Sequence, residues 1–270
     1  MSRIAERFAE LKKNRRKALV PFVTAGDPQP DTTVPLLHAM VEAGADILEI
    51  GVPFSDPMAD GPVIQAACER ALAHHVTLHQ VLDMVREFRR KDSTTPVILM
   101  GYLNPIEVWG YQEFARAAGE AGVDGMLTVD MPPEEAGELT EHLRANGIDA
   151  IFLLAPTSGA DRIKKVAGTA SGFIYYVSFK GVTGANRLDI DAVADKVSEV
   201  RQYTDLPLGV GFGIRDPETA AQVAKIADAV VVGSVLVSKV AELADNPESI
   251  PAAIASTVAE LRAAIDQAVS

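Results

Sequence analysis

Apolar and polar positions along this chain sort into eight short apolar runs, each followed by a stretch of helical spacing. The runs fall at residues 19–24, 47–51, 97–100, 125–129, 150–154, 173–177, 208–211 and 229–232. They are nearly continuous rather than alternating, which predicts strands covered on both faces. Between them, Val34, Leu37, Met40 and Val41 mark one face of a helix over about 31–43 that stops at Gly44. Pro62 opens a helix to about 75, and Thr77 is placed as the N-cap of another to about 90. Further helices are predicted over about 112–121, 160–167, 190–201 and 217–226, with a long one from about 247. Pro132-Pro133 followed by Glu134 and Glu135 predicts a helix start that runs to Asn146-Gly147. Ahead of the first run, Ile4, Phe8 and Leu11 give an opening helix an apolar face.

Regular alternation of strand and helix argues for a parallel sheet. Eight such units in 270 residues argue for a closed barrel over an open sheet, since a (β/α)8 barrel takes about 250 residues. The expected architecture is therefore α/β, a single TIM-type barrel domain over residues 1–270 with an extra N-terminal helix. In such barrels chemistry belongs at the C-terminal ends of the strands.

Composition narrows the function classes. The net charge of −12, from 37 acidic and 25 basic residues, is opposite to the basic footprint of a nucleic-acid binder. The one basic cluster, Lys12, Lys13, Arg15, Arg16 and Lys17, ends the opening helix, where cations complement the helix dipole. No apolar run reaches the ~18 residues of a membrane span, and the N-terminus has no apolar signal core. A single cysteine, Cys68, permits no intramolecular disulfide, which fits the cytoplasm.

The second run offers the candidate chemistry, against the plainer readings of a Glu49 that reaches solvent at a strand edge and an Asp60 that forms a turn or caps a helix. Glu49 stands in the middle of Ile47-Leu48-Glu49-Ile50, and a glutamate is almost never buried without a partner. Burial would raise its pKa towards neutrality, as a general acid or base requires. Asp60 follows eleven residues later, in a loop punctuated by Pro53, Pro57, Gly61 and Pro62. Two carboxylates in different environments can hold different protonation states. Glycine-bearing loops then follow each of the last three strands: Gly181-Val182-Thr183-Gly184, Gly211-Phe212-Gly213-Ile214 and Gly233-Ser234. Glycine lets backbone N–H groups approach an anion, and the loops after strands seven and eight often hold phosphate in this fold. Gly-Phe-Gly lacks the full spacing of a dinucleotide fingerprint, so no nicotinamide cofactor is expected.

The run LEIGVPFSDPMADGPVIQ, ending at Gln65, closely resembles the signature of tryptophan synthase alpha chains. GVTGA at 181–185, GFGI at 211–214 and GS at 233–234 match that family's phosphate loops in order and spacing. The resemblance implies cleavage of indole-3-glycerol phosphate to indole and glyceraldehyde 3-phosphate, with Glu49 and Asp60 catalytic. It implies substrate contacts at Phe22, Met100, Leu127, Tyr175, Thr183, Gly184, Phe212, Gly213, Gly233 and Ser234. It further implies docking on a beta chain in an α2β2 heterotetramer, through the loop from Pro53 to Asp60 and the segment after Gly184. Pyridoxal phosphate is expected in that beta chain, with no cofactor and no metal in this one. One departure is Phe179-Lys180, where well-known members carry Arg-Ala.

Two other chemistries fit the residues less well. A Schiff-base aldolase needs a desolvated lysine, and no predicted strand contains one. A metal-dependent isomerase needs ligands at strand ends, whereas His38, His74, His75, His79 and His142 lie in or between helices.

Overall fold

The computed structural model describes residues 2–178, 189–211 and 213–269. Eight strands, β1 (Ala18–Thr24), β2 (Leu48–Gly51), β3 (Val97–Gly101), β4 (Gly125–Thr128), β5 (Asp149–Leu154), β6 (Ile174–Val177), β7 (Leu208–Gly211) and β8 (Ala229–Val232), pair in sequence order. β1 also pairs with β8, so the parallel sheet closes on itself. All eight predicted runs are strands within a residue or so of the expected limits.

Side chains alternate between the two faces of each strand, and two hydrophobic cores result. Leu19, Leu48, Ile50, Leu99 and Val230 point outward into the layer between barrel and helices. Val20, Ile47, Ile98, Leu127, Ile151, Phe173, Tyr175 and Val231 fill the interior. The opening helix α1 (Arg3–Lys13) belongs to the second core, through Ile4, Phe8 and Leu11. It stoppers the N-terminal end of the barrel. The Phe8 ring lies 5.9 Å from Phe173, and a Cβ on Gly125 would stand 3.0 Å from Ile4.

Carboxylates just ahead of the strands brace the same end. Asp46 accepts from the Leu19 amide and from Arg262, both at 2.9 Å. Asp124 accepts from the Val97 amide at 2.8 Å and from Arg3 and Arg89 at 2.7 Å each. Asp228 takes the Leu208 amide at 3.0 Å and Arg201 at 2.8 Å. These acids sit opposite the expected catalytic end and serve stability.

The outer helices follow in order: α2 (Thr33–Glu42), α3 (Pro62–Ala73), α4 (Leu78–Arg89), α5 (Leu103–Trp109), α6 (Tyr111–Ala121), α7 (Gly137–Ala145), α8 (Ala160–Thr169), α9 (Ile190–Val200), α10 (Pro217–Ala224), α11 (Ser234–Glu242) and α12 (Ile250–Val269). Thr77 caps α4 as expected, in a reciprocal capping box with Gln80. One expectation needs correction, and one helix is additional to those predicted. α7 begins at Gly137 rather than after Pro132, because the Glu134-Glu135 stretch is spent in a turn closed by the Glu135 amide on the Pro132 carbonyl. α5 was not foreseen, having no side-chain cap and a proline in its first turn. No helix among the described residues is long and apolar enough to cross a membrane.

Candidate active site

Register places Glu49 across from Phe22 on β1 and Ile98 on β3, with its side chain on the interior face. It lies at the upper limit of the packed interior, beneath a cavity of about 410 Å3 at the C-terminal end of the barrel. Phe22, Glu49, Asp60, Met100, Tyr175, Gly213, Gly233 and Ser234 all line that cavity. The structure thus brings together eight of the twelve positions named from sequence. Leu127 is packed in the interior core, cross-strand from Met100, and does not reach the cavity wall. Thr183, Gly184 and Phe212 lie outside the described residues, as does Phe179-Lys180.

Glu49 is 1% exposed, and its Oε1 has no hydrogen-bond partner. The other buried carboxylates behave differently: Asp27 is held by Arg70, Asp46 by Arg262 and Asp124 by two arginines. Burial, reinforced by the nearby charge of Asp60, pushes the Glu49 pKa up to about 8. At neutral pH the group is therefore mainly a neutral acid, able to give up a proton and take one back. Tyr175, also buried, is held well above its ordinary range by burial and by these two carboxylates.

Asp60 is set differently. It sits directly before Gly61, the N-cap of α3, with Pro62 at the first helical position. Gln65 donates to its carbonyl oxygen at 2.8 Å, and the Tyr102 hydroxyl donates to Oδ2 at 2.9 Å. Burial holds the Asp60 pKa above its ordinary value, and the Tyr102 bond offsets part of that rise. The neighbouring helix N-terminus also favours its charged form. The pair therefore consists of a neutral acid on a rigid strand and a hydrogen-bonded carboxylate on a loop.

At the other side of the cavity, α11 starts at Ser234 with Gly233 as its N-cap and no side-chain cap. The Leu236 and Val237 amides close on the Gly233 carbonyl, which leaves the Ser234 and Val235 N–H groups for a ligand, and Ser234, Val235 and Ser238 face the cavity. Gly213 has φ +78°, a backbone state that side chains rarely adopt. One pocket thus joins a carboxyl pair suited to proton transfer and a helix end suited to an anion.

A sequence profile of the tryptophan synthase alpha chain family matches residues 8–266. The chain belongs to that family. A tryptophan synthase alpha chain from Thioalkalivibrio sulfidiphilus is 64% identical over 266 residues, covering 98% of this chain and 100% of that relative. The crystal structure of the alpha subunit from Legionella pneumophila str. Paris superposes with a TM-score of 0.92 at 47% identity, covering 99% of each chain. A chain in the tryptophan synthase complex from Pyrococcus furiosus gives 0.81 at 36% identity, over 91% of this chain and 98% of that one.

Several alpha-chain residues at the cavity were not singled out from sequence. Ile64, in the first turn of α3, and Val231, on the inner face of β8, add apolar wall. Ser238 is four residues after Ser234, hence on the same face of α11. Arg215 follows Gly-Phe-Gly-Ile directly and lines the same space. Tyr102, which orients Asp60, is the residue immediately after β3. Among the described residues no cluster of His, Cys, Asp and Glu could hold a metal ion.

Proposed function

We infer that this chain cleaves indole-3-glycerol phosphate to indole and glyceraldehyde 3-phosphate, with Glu49 as the acid–base group. The observation that carries this reading is a buried carboxyl without a partner, poised near pH 8 at the floor of a pocket. The neutral Glu49 gives its proton to indole C3, and the ring becomes a cation centred on nitrogen. The Asp60 carboxylate stabilises that charge at the N–H. Glu49, now ionised, takes the proton of the side-chain hydroxyl. As that O–H bond breaks, a carbonyl forms and the carbon–carbon bond to C3 opens. Its electron pair returns to the ring, neutralising the nitrogen, and Glu49 ends protonated as it began. No lysine lies on any of the eight strands, so nothing there supports a Schiff-base route.

The apolar faces of Phe22, Met100, Ile64 and Tyr175 suit the indole ring, and the open N-terminus of α11 suits the phosphate. Holding both ends converts binding energy into alignment of C3 with Glu49.

The chain works with a beta chain that carries pyridoxal phosphate and uses the indole to make tryptophan, as an α2β2 assembly. Met58, in the loop after β2, and Val108, on α5 after β3, support docking beside the pocket. They are 84% and 81% exposed, unusual for large apolar side chains. The reading also takes residues 1–270 as one domain that works in the cytoplasm.

Following indole release from indole-3-glycerol phosphate, with and without a beta chain, tests the reading. Release by the chain, accelerated by the beta chain, is expected. No release under either condition would overturn it.

A further inference from the structure

Arg215 is the one basic side chain among the described residues lining the 410 Å3 cavity, which holds two carboxylic acids, Glu49 and Asp60. It stands on the side formed by Gly213, Gly233, Ser234 and Ser238. Backbone N–H groups and serine hydroxyls carry only partial charge. A phosphate dianion entering a protein of net charge −12 gains most from a full cation at its seat.

The backbone beneath Arg215 is fixed. Its own amide donates to Thr219 Oγ1 at 3.2 Å, and the next residue, Asp216, caps α10 by accepting from the Thr219 amide at 2.8 Å. Pro217 then occupies the first helical position. The side chain is thus launched from a rigid turn, and its guanidinium fork matches phosphate geometry.

Arg215 also borders a second cavity of about 380 Å3 between α10, α11 and α12. Asp216, Glu242 and Glu260 line that space against a single further cation, Lys239, so it repels a dianion. On the first side the anion-binding elements converge. The unpartnered Glu49 oxygen at the floor shows independently that this is the side built for a ligand.

We propose that Arg215 is a substrate-binding residue that engages the phosphate of the indole-glycerol ester and sets the preference of the pocket for phosphorylated substrate. This rests on the function proposed above. Arg215 is exposed and its amide bond to Thr219 is independent of the side chain, and thermal melts of each variant beside the kinetics check that it folds.

The test compares wild type, Arg215→Met and Arg215→Lys in steady-state cleavage and in calorimetric titration with inorganic phosphate. A charge-assisted hydrogen bond lost at the phosphate raises KM by about tenfold or more in Arg215→Met. The cost falls on KM rather than kcat, because the reacting carbon lies at the other end of the substrate. Arg215→Lys restores part of the affinity, and inorganic phosphate affinity follows the same order. Indole, which has no phosphate, inhibits all three equally. A KM and phosphate affinity within twofold of wild type in Arg215→Met would overturn the proposal while leaving the reaction intact. If wild type releases no indole, the reaction assignment falls, and the phosphate titration still decides the role of Arg215.

Discussion

Tyr102 donates its hydroxyl to Asp60 Oδ2 at 2.9 Å and accepts the Ala59 amide at 3.0 Å. One phenol at the end of β3 therefore fixes both the backbone and the carboxylate of the loop after β2. Phe54 stacks on the same ring, with centroids 5.1 Å apart. The loop is oriented from outside itself, by a residue 42 positions later in the chain.

Tyr102→Phe keeps the stack and deletes the hydroxyl. Losing one hydrogen bond to a charged group costs about a tenfold drop in kcat/KM. Asp60→Asn should lose much more, since an amide cannot balance a cationic indole nitrogen. Asp60→Glu, with its charge on a loop, should recover part of the rate. Steady-state kinetics on the three variants checks the ranking Asp60→Asn worst, Tyr102→Phe mildest.

Glu49→Gln retains size and polarity but cannot carry a proton. General acid–base catalysis is worth roughly 10² to 10⁴ in rate, and the proposed mechanism has this residue act twice in one turnover. The expected result is a fall in kcat at or beyond the top of that range with substrate still bound. Glu49→Asp should not rescue, because the rigid strand leaves the shorter carboxyl away from C3. Near-normal turnover in Glu49→Gln would refute the assignment.

The pH dependence follows from the same pair. The proposed mechanism needs Glu49 protonated and Asp60 ionised, so kcat/KM should fall above about pH 8 and again on the acid side. Because the charge on Asp60 helps to hold the Glu49 pKa up, the residual activity of Asp60→Asn should lose its alkaline limb at lower pH than wild type. A pH–rate profile of both proteins checks the displacement. An unmoved limb would mean that a different group controls it.

Stability carries a separate signature. The folded pKa of Glu49, about 8, lies above its ordinary value of 4.5. Between those values the folded state keeps a proton that the unfolded chain has released, so stability falls as pH rises through the window. Below it both states are protonated and the penalty vanishes. Glu49→Gln removes the penalty, so its gain in Tm over wild type should be larger at about pH 9 than at about pH 4. Thermal melts at the two pH values measure this, and equal gains would contradict the buried, partnerless setting.

At the phosphate end, Ser234→Asp sets a negative charge at the first residue of α11. It should raise KM for the phosphorylated substrate more than tenfold, an effect on the scale of the charge pairs that govern such sites. Acidic residues are otherwise favourable in a first helical turn, so Tm should hold. Kinetics beside a melt separates the two. Gly213→Asp is a poorer probe, since its φ of +78° would strain any side chain and lower stability as well.

Much of this was legible in the primary structure, and for identifiable reasons. Strands such as 229–232 are covered on both faces, so they appear as unbroken apolar runs. Glu49 was conspicuous because it interrupts one of them. Thr77 was readable because a capping box is local. What escaped depends on contacts between distant positions. Tyr102 is one more aromatic after a strand until Asp60 is seen beside it. Arg215 is an ordinary surface cation until α11 is placed across from it. Leu127 sits in a layer that only the three-dimensional packing separates from the cavity wall. Glu134 and Glu135 gave a helix-start signal, but Glu134 instead pairs with Arg162 and Lys165 across to α8.

The helix at the start of the chain has a consequence for traffic. With Ile4, Phe8 and Leu11 wedged into the base, the barrel is a flask rather than a pipe. Whatever is made over Glu49 must leave by the side from which its precursor came. Indole and the triose phosphate therefore share an exit, and a molecule seated over that rim would decide which departs to water and which is handed on.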